Sequence, residues 1–400
     1  MHVIDAIRAI RMLLVAGLFT SMLSSAHPAL AQDLKFADHE GVIRSVARRL
    51  SLGSTLSGTT SSGESSSFTF TLAKGEFSTI SIQQIDADLT CSIGVPSSEQ
   101  PIIRIDRALR VGGTETIDFI AESGGTYILS IRPKYRNPAR ARYSVALSAS
   151  TAPTPQDQAE FDIDKLIAQA QTARAQGFPK AAVEFADAAV AKARENFGTT
   201  PGLARVINET AMFIYWNGEI SRFRTIAENA WAIAEKLPER DIDRLLALEN
   251  IAFAMRMTGE ASQSEALTNE LLRLRSAEFG EDHASIAPVL GELAALQRSK
   301  GNYAAATTLT RRSLDIRERW YGVDNIEVVQ SLQNLASIAY ATGDDEGFLR
   351  YSERTLAIRR KNLPPGHPDI ARTLMDIGNL RTDVHDFDAA EGLLKESLAI

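Results

Sequence analysis

Cysteine is almost absent from this 400-residue sequence, in which Cys91 is the single example. One cysteine cannot form an internal disulfide, so packing has to hold the fold together. Cys91 lies in the alternating stretch 89–95, which favours a buried structural thiol. A nucleophilic cysteine needs a base such as histidine, and the nearest histidine along the chain, His39, forms no recognisable arrangement with it.

Positive charge is scarce as well. The 43 lysines and arginines are outnumbered by 50 aspartates and glutamates, which gives a formal net charge of −7. No basic block or stripe stands out, whereas a nucleic-acid binder needs a clustered positive surface. We therefore expect protein rather than nucleic acid as the partner.

Catalytic signatures are missing too. The chain has no P-loop, no C-x-x-C, no H-E-x-x-H, no G-x-S-x-G and no G-x-G-x-x-G after a strand. Asp86 and Asp88 are too few for a calcium site and are interpreted as a polar turn before a strand at Leu89. We expect no catalytic residues, no metal site, no cofactor and no enzyme activity in residues 1–400.

Long hydrophobic runs are also lacking. The apolar run 12–23 is shorter than the roughly 20 residues that span a bilayer. His2, Arg8 and Arg11 precede it, and the sequence Ala-Leu-Ala at 29–31 fits a small-x-small cleavage site. The pattern predicts a secretory signal peptide, residues 1–31, and a periplasmic or extracellular protein without stable membrane insertion after cleavage. An uncleaved membrane anchor is the alternative.

Residues 32–150 alternate with a period of two in several short segments, separated by glycine-rich and polar clusters such as 57–67. This pattern predicts an antiparallel β-sandwich, jelly-roll-like in type. The predicted strands are 68–72, 80–82, 103–105, 116–120, 127–131 and 143–147. The order of these segments resembles the pre-peptidase C-terminal type of β-sandwich found on secreted bacterial proteins.

A proline-rich linker is predicted at 151–158, because Pro153 and Pro155 disfavour both helix and central strand. The first helix is expected to begin near Ala159. From there to residue 400 the chain repeats itself with an interval of 41 or 42 residues. We call the residue that marks each unit its turn residue, and the six are Gly177, Gly218, Gly259, Gly301, Gly343 and His385.

Each unit carries the same residue types at the same distances from its turn residue. A small residue stands seven places before it, and a large aliphatic residue stands eleven places before it. Two residues four apart lie on one helix face, so each unit starts with a helix that approaches a neighbour closely. The small residues are Ala170, Ala211, Ala252, Ala294, Ala336 and Gly378.

Two helices per unit with small residues at these places resemble the tetratricopeptide repeat, whose basic length is about 34 residues. The extra residues fall in connectors such as 279–285 and 364–370, which resemble the kinesin-light-chain type of repeat. The resemblance implies an all-α solenoid of six units, residues 159–400. His283, Asn325 and His367 occupy corresponding connector places, where we expect them to cap the following helix.

The first helices of such a solenoid line its concave surface, where partners bind. Amides, aromatics and arginines in these helices, outside the positions assigned to packing, form the predicted groove for a peptide or partner domain. The candidate residues are Asn208, Met212, Tyr215, Glu249, Phe253, Arg256, Arg298, Gln333, Ser337, Tyr340 and Asn379.

The function predicted from these observations is a protein–protein interaction scaffold. The arrangement also resembles the front half of secreted bacterial proteins that carry a caspase-like CHAT peptidase domain, so the alternative is the recognition half of such a peptidase. That domain would need a histidine and cysteine pair, which residues 1–400 do not provide in usable form. Self-association through the C-terminal repeat is a further expectation, because no polar capping helix follows it.

Overall fold

A computed structural model describes residues 47–61, 64–85, 88–98, 100–105, 114–134, 141–148 and 152–400. The described residues form two β-sheets, followed by a continuous array of α-helices. The predicted signal peptide and Asp86 lie outside the described residues.

Nine strands are present in the described residues between 47 and 148. They are β1 Arg48–Arg49, β2 Thr55–Thr60, β3 Ser66–Leu72, β4 Phe77–Gln84, β5 Leu89–Gly94, β6 Ile103–Ile105, β7 Thr114–Ile120, β8 Gly125–Pro133 and β9 Ala141–Ser148. One sheet has the order β1-β3-β8-β5-β6, and the other has the order β2-β9-β4-β7. All pairings are antiparallel except that of β1 with β3.

The sheets pack face to face through alternate apolar side chains, as the period of two predicts. Phe70 of one sheet meets Phe119 of the other at a centroid distance of 6.1 Å, and Cys91 is buried in the same core. The predicted sandwich and its six predicted strands are therefore confirmed. The interpretation of 57–67 as a mere separator is wrong, because β2 runs through it to Thr60. Serine and threonine suit β2 since it is an edge strand with one exposed face.

Twelve helices occupy the described residues from 155 onward, two to a unit. They are α1 Pro155–Ala175, α2 Pro179–Phe197, α3 Pro201–Trp216, α4 Ile220–Ala234, α5 Ile242–Met257, α6 Ala261–Phe279, α7 Ile286–Ser299, α8 Tyr303–Tyr321, α9 Val329–Thr342, α10 Asp345–Asn362, α11 Pro368–Asp383 and α12 Phe387–Leu398. A short 3₁₀ turn, Ile326–Val328, precedes α9. None of the helices described is long and apolar enough to cross a membrane.

The first helix begins at Pro155 rather than near Ala159, so the predicted linker is shorter than 151–158. Thr154 caps this helix, accepting a hydrogen bond from the main chain of Asp157, whose carboxylate accepts one from the main chain of Thr154. Proline is favoured at the first position of a helix, where its missing N–H costs nothing. Pro155 therefore starts the helix that it was expected to block.

The turn residues explain why the units end their first helices at a fixed interval. All six turn residues have positive φ, from +64° at His385 to +90° at Gly259. Glycine adopts this conformation freely, whereas a residue with a Cβ pays about 1–2 kcal/mol. His385 is the single non-glycine residue with positive φ among those described, so the sixth unit keeps the turn at a cost in backbone strain.

The predicted packing stripe is confirmed. All six small residues of the first helices are buried, and so are Ile207, Leu248, Leu290, Leu332 and Leu374 from the aliphatic row. Leu166 is half-buried. The core of the array therefore lies between the two helices of each unit and the first helix of the next.

The sandwich docks on the start of the array. Phe161 of α1 is buried in the sandwich core, with its ring 5.5 Å from that of Phe119. One turn later, Lys165 forms an ion pair with Glu122 at 2.5 Å. The sandwich and the first helix therefore share one hydrophobic core.

Candidate functional site

The inner wall of the array is built from the first helices. The first helices of neighbouring units contact each other directly along the array from α1 to α9. Such contacts are expected on the shorter, inner circumference of a superhelix, which is the surface that solenoids present to partners.

One position of this wall carries large polar or aromatic side chains in most units. We call it the inner row and define it as the residue three places before each turn residue. The inner row consists of Arg174, Tyr215, Arg256, Arg298, Tyr340 and Thr382. Four of the eleven candidate groove residues belong to it.

The structure places the eleven candidates in two environments. Six of them are buried: Asn208, Met212, Tyr215, Glu249, Phe253 and Ser337. Arg256, Arg298, Gln333 and Tyr340 are half-buried, and Asn379 is exposed. The expectation that all of these side chains stay outside the packing is therefore wrong for six, and partner binding by the set stays a prediction.

The buried members pack between units. The ring of Tyr215 meets that of Phe253 in the next unit edge to face, at 4.7 Å. The side-chain amide of Asn208 donates to the carbonyl oxygen of Asp243, at 2.9 Å and also across a unit boundary. The sequence pattern identified packing within a unit, whereas these contacts depend on the angle between units.

Arg256 and Arg298 form the most polar part of the inner row. Arg256 makes two hydrogen bonds to the carboxylate of Glu292, at 2.7 and 3.3 Å, and lies over the ring of Phe253. Burial, followed by the positive charge of Arg256, lowers the pKa of Arg298. The guanidinium of Arg298 is thus held where an additional negative charge would be favourable.

Arg174 joins the two ends of the array. Its guanidinium lies 3.6 Å from the carboxylate of Asp369 in the sixth unit and 5.2 Å from the ring centre of Trp216. The ring of His367 also hydrogen-bonds the main chain of Arg174. A Cβ on Gly177 would come within 3.0 Å of Pro368, so the backbones approach closely. The first and sixth units therefore contact each other, and the array closes on itself.

Three fully buried arginines recur in the second helices, sixteen places after the turn residue. These are Arg275, Arg317 and Arg359. Arg275 donates to the carboxylate of Glu249 at 2.7 Å and to the carbonyl oxygen of Ser285, at the start of the next unit. Arg359 donates to the carbonyl oxygen of Asp369 at 2.9 Å, again at the start of the next unit. Each arginine therefore ties one unit to the next.

The expected capping by connector residues is confirmed for His367 and for Asn325, which caps the 3₁₀ turn before α9, whereas α7 begins after Ser285 without a side-chain cap. His367 accepts a hydrogen bond from the main-chain N–H of Asp369, and Asn325 accepts one from that of Glu327. His283 accepts one from the main-chain N–H of Ser285 at 3.2 Å. Trp320 lies beside His283, with ring centres 5.0 Å apart, and donates to the carbonyl oxygen of Asp282.

The burial of His283 predicts a pH dependence. Burial, with the positive charges of Lys134 and Arg275, lowers the pKa of His283 to about 4. Since this value lies below the unfolded value of about 6.5, the stabilisation is complete above pH 6.5 and is lost as the pH falls towards 4, by at most about 3 kcal/mol. His283→Asn keeps an acceptor for the main-chain N–H of Ser285, as Asn325 provides one for Glu327 in the next connector. The free energy of unfolding of His283→Asn, measured with urea at several pH values, should fall less between pH 7 and pH 4 than that of the wild type. An equal fall in the two proteins would contradict this.

Sequence reasoning missed Arg174, Thr382 and the three buried arginines. The signal was present, because all of them recur at fixed distances from the turn residues. A comparison of only the positions that carry small or aliphatic residues does not detect the positions that carry polar residues. Buried arginine is uncommon unless it is paired, so the recurrence of one residue type at this spacing predicts a repeated ion or hydrogen-bond contact.

Asp88, considered above as a calcium ligand, is buried and forms an ion pair with Lys134 at 3.6 Å. Within the described part of the chain, no group of three or more histidine, cysteine, aspartate or glutamate side chains could hold a metal ion. The contact with Lys134 accounts for the burial of Asp88, because a buried carboxylate needs a cationic partner.

Part of the helical array matches a known repeat family. The tetratricopeptide repeat model matches residues 243–319 and 328–400. No curated protein matches the chain. The crystal structure of BtubC (BKLC) from P. vanneervenii shares 19% identity, covers 59% of this chain and 90% of its own, and has a TM-score of 0.41.

Two further solved structures are similar in part. A putative kinesin light chain from Podospora anserina shares 21% identity over 50% of this chain and 95% of its own, with a TM-score of 0.39. The pre-peptidase C-terminal domain of a collagenase from Bacillus anthracis shares 19% identity over 28% of this chain and 99% of its own, with a TM-score of 0.22. The prediction of repeats is confirmed by the family match, and residues 243–319 and 328–400 of this chain are tetratricopeptide repeats.

Proposed function

We propose that the chain is a protein-interaction scaffold that binds an extended, acidic peptide segment of its partner at the part of the inner row formed by Arg256 and Arg298. The observation that carries this is the placement of half-buried Arg256 and Arg298 at the same position of successive first helices, where burial and the charge of Arg256 lower the pKa of Arg298. A carboxylate from a peptide would offset both effects and form charge-assisted hydrogen bonds with a guanidinium. Repeat arrays supply the long concave surface that an extended segment needs.

Arg298→Gln tests this binding mode. We expect the affinity of the full chain for acidic peptides selected from a library to fall about tenfold to hundredfold, as for loss of a charged hydrogen bond worth about 1.5–3 kcal/mol. Fluorescence anisotropy gives the affinity, and urea unfolding gives the stability.

Arg311→Gln is the matched control, since Arg311 is exposed on α8. It should leave peptide affinity unchanged. Selection of neutral peptides in preference to acidic ones would contradict the proposal, as would equal affinities for the wild type and Arg298→Gln.

We also propose that the scaffold acts outside the cytoplasm. The support is the basic start, short apolar run and small-x-small site in residues 1–31. N-terminal sequencing of the protein from its own cells, after fractionation, should give Gln32 as the first residue in the periplasm or medium. An N-terminus before the apolar run, in the membrane fraction, would support an anchor instead.

A further inference from the structure

The sandwich carries an open groove of about 560 Å³ at its edge, remote in sequence from the repeats. It lies where β2, at the edge of one sheet, faces β1 and β3 of the other. Its volume is in the range of small-molecule sites, about 300–1,000 Å³. It is therefore larger than a single inorganic anion requires.

The residues that line the groove include two cations and five that carry a hydroxyl group. They are Arg48, Arg142, Ser57, Thr59, Ser66, Ser67 and Tyr143, and Gly58, Phe68 and Ile85 complete the lining. Among the described residues that line it there is no aspartate or glutamate. The local charge is therefore positive in a protein whose net charge is −7.

The floor of the groove is closely packed. The rings of Phe68 and Tyr143 are buried beneath it and meet edge to face at 6.1 Å. Gly58 lies directly over Tyr143, and a Cβ at Gly58 would come within 2.5 Å of the Tyr143 hydroxyl oxygen. The absence of a side chain at Gly58 thus allows the edge strand to lie against the phenol ring.

Arg48 is held in place at the rim. Its guanidinium donates to the carbonyl oxygen of Ser57 at 2.8 Å and lies 5.6 Å from the ring centre of Phe68. Arg142 is exposed on β9 and is paired in the strand register with Thr59 of β2. A planar guanidinium binds a carboxylate through two parallel hydrogen bonds, and hydroxyl side chains can both donate to and accept from a polyhydroxylated ligand.

We propose that this groove binds a hydroxylated organic anion, the uronate unit of an acidic polysaccharide. The carboxylate of the sugar contacts Arg48 and Arg142, and its hydroxyl groups contact the serine and threonine side chains. The same carboxylate chemistry is present in a free uronic acid, so polymer and monomer are separate arms of the test.

Calorimetric titration of the full chain with tetragalacturonate, galacturonate and a neutral galactan tetramer tests the site. We expect tetragalacturonate to bind, the monomer to bind at least tenfold more weakly, and the neutral tetramer not to bind. Affinity should fall as NaCl is raised, because salt screens exposed charges. Arg48→Gln and Arg142→Gln should each weaken binding about tenfold or more, as expected for the loss of a charge-assisted bidentate contact.

Arg49→Gln is the matched control. Arg49 is exposed and belongs to the same two-residue strand, but does not line the groove. It should bind tetragalacturonate as the wild type does. Three outcomes would overturn the proposal. They are no binding of either uronate, binding of the neutral tetramer as tight as that of tetragalacturonate, or an equal loss of affinity for tetragalacturonate in Arg48→Gln and Arg49→Gln. Inorganic phosphate that competes at equal concentration would reduce the groove to a simple anion site and overturn it as well.

Discussion

Asp369→Asn should destabilise the protein by about 3–5 kcal/mol, because it removes the buried anion shared by Arg359, which is buried, and by Arg174 and Arg372, which are half-buried. The carboxylate of Asp369 lies 2.9 Å from Arg372 and 3.6 Å from Arg174. Burial alone would raise the pKa of Asp369, but the charges of Arg359, Arg174 and Arg372 hold it well below its usual range. Without the charge, these three guanidinium groups lose the anion that offsets their mutual repulsion.

The pH dependence of the wild type follows from the same cluster. Since the pKa of Asp369 is lower in the folded protein than in the unfolded chain, its stabilisation is present above the unfolded value of about 3.8 and is lost as the pH falls below it. Asp369→Asn should therefore lose less stability than the wild type on acidification from pH 5 to 3. Urea unfolding at several pH values measures this.

Arg174→Met separates closure of the array from capping of α11. Asp369 stands in the first turn of α11, where a negative charge is favourable whatever the distant unit does. Arg174 belongs to the first unit, so its loss affects Asp369 only through the closure contact. Hydrogen exchange should quicken in the last turn of α1 and the first turn of α11.

The control for both variants is Glu281→Gln. Glu281 lies in another connector and forms an exposed ion pair with Arg312 of α8. Such pairs contribute at most about 1 kcal/mol. Exchange in α1 that is the same in Arg174→Met and in the wild type would show that the closure contact contributes nothing in solution.

The repeat could be predicted from the sequence because its signals are local. Ala211 and Ile207 lie four residues apart on one helix face, and the turn at Gly218 needs positive φ. Both facts follow from helix geometry and from the conformational freedom of glycine. The period of two likewise predicts strands such as β8, whose alternate residues are buried.

The inner wall could not be predicted in the same way. Whether Tyr215 faces an open groove or the ring of Phe253 depends on the rotation between units, which no single unit encodes. The contact of Arg174 with Asp369 depends on the sum of these rotations from the first unit to the sixth. Edge strand β2 was missed for a related reason, because its serines and threonines resemble a loop until a neighbouring strand pairs with them.

The second large effect is expected at the buried pair of Arg275 and Glu249. Both side chains are almost fully buried, with 2% and 7% of their surfaces exposed, and the atoms joining them are 2.7 Å apart. Arg275→Met leaves the carboxylate of Glu249 without this partner in the interior, which typically costs about 3–5 kcal/mol. Urea unfolding should show a lower midpoint with an unchanged slope, because the same surface is exposed on unfolding.

Arg273→Met is the matched control for the single variant. Arg273 lies on the same helix two residues earlier, but its side chain is 59% exposed in its pairing with Glu270. An exposed pair of this kind contributes at most about 1 kcal/mol. A similar loss of free energy of unfolding in Arg275→Met and Arg273→Met would indicate that helix α6 is sensitive to any loss of charge.

The double variant Arg275→Met/Glu249→Leu should recover most of the stability lost in Arg275→Met. Replacing both partners of a buried ion pair by apolar residues of similar volume is often neutral or stabilising. The first two units support this expectation, since Ala193 and Ala234 occupy the corresponding place and are fully buried there. Those units are therefore held together without an arginine. A double variant as unstable as the single one would instead assign the role of Arg275 to its hydrogen bond with the carbonyl oxygen of Ser285, because that contact is lost in both.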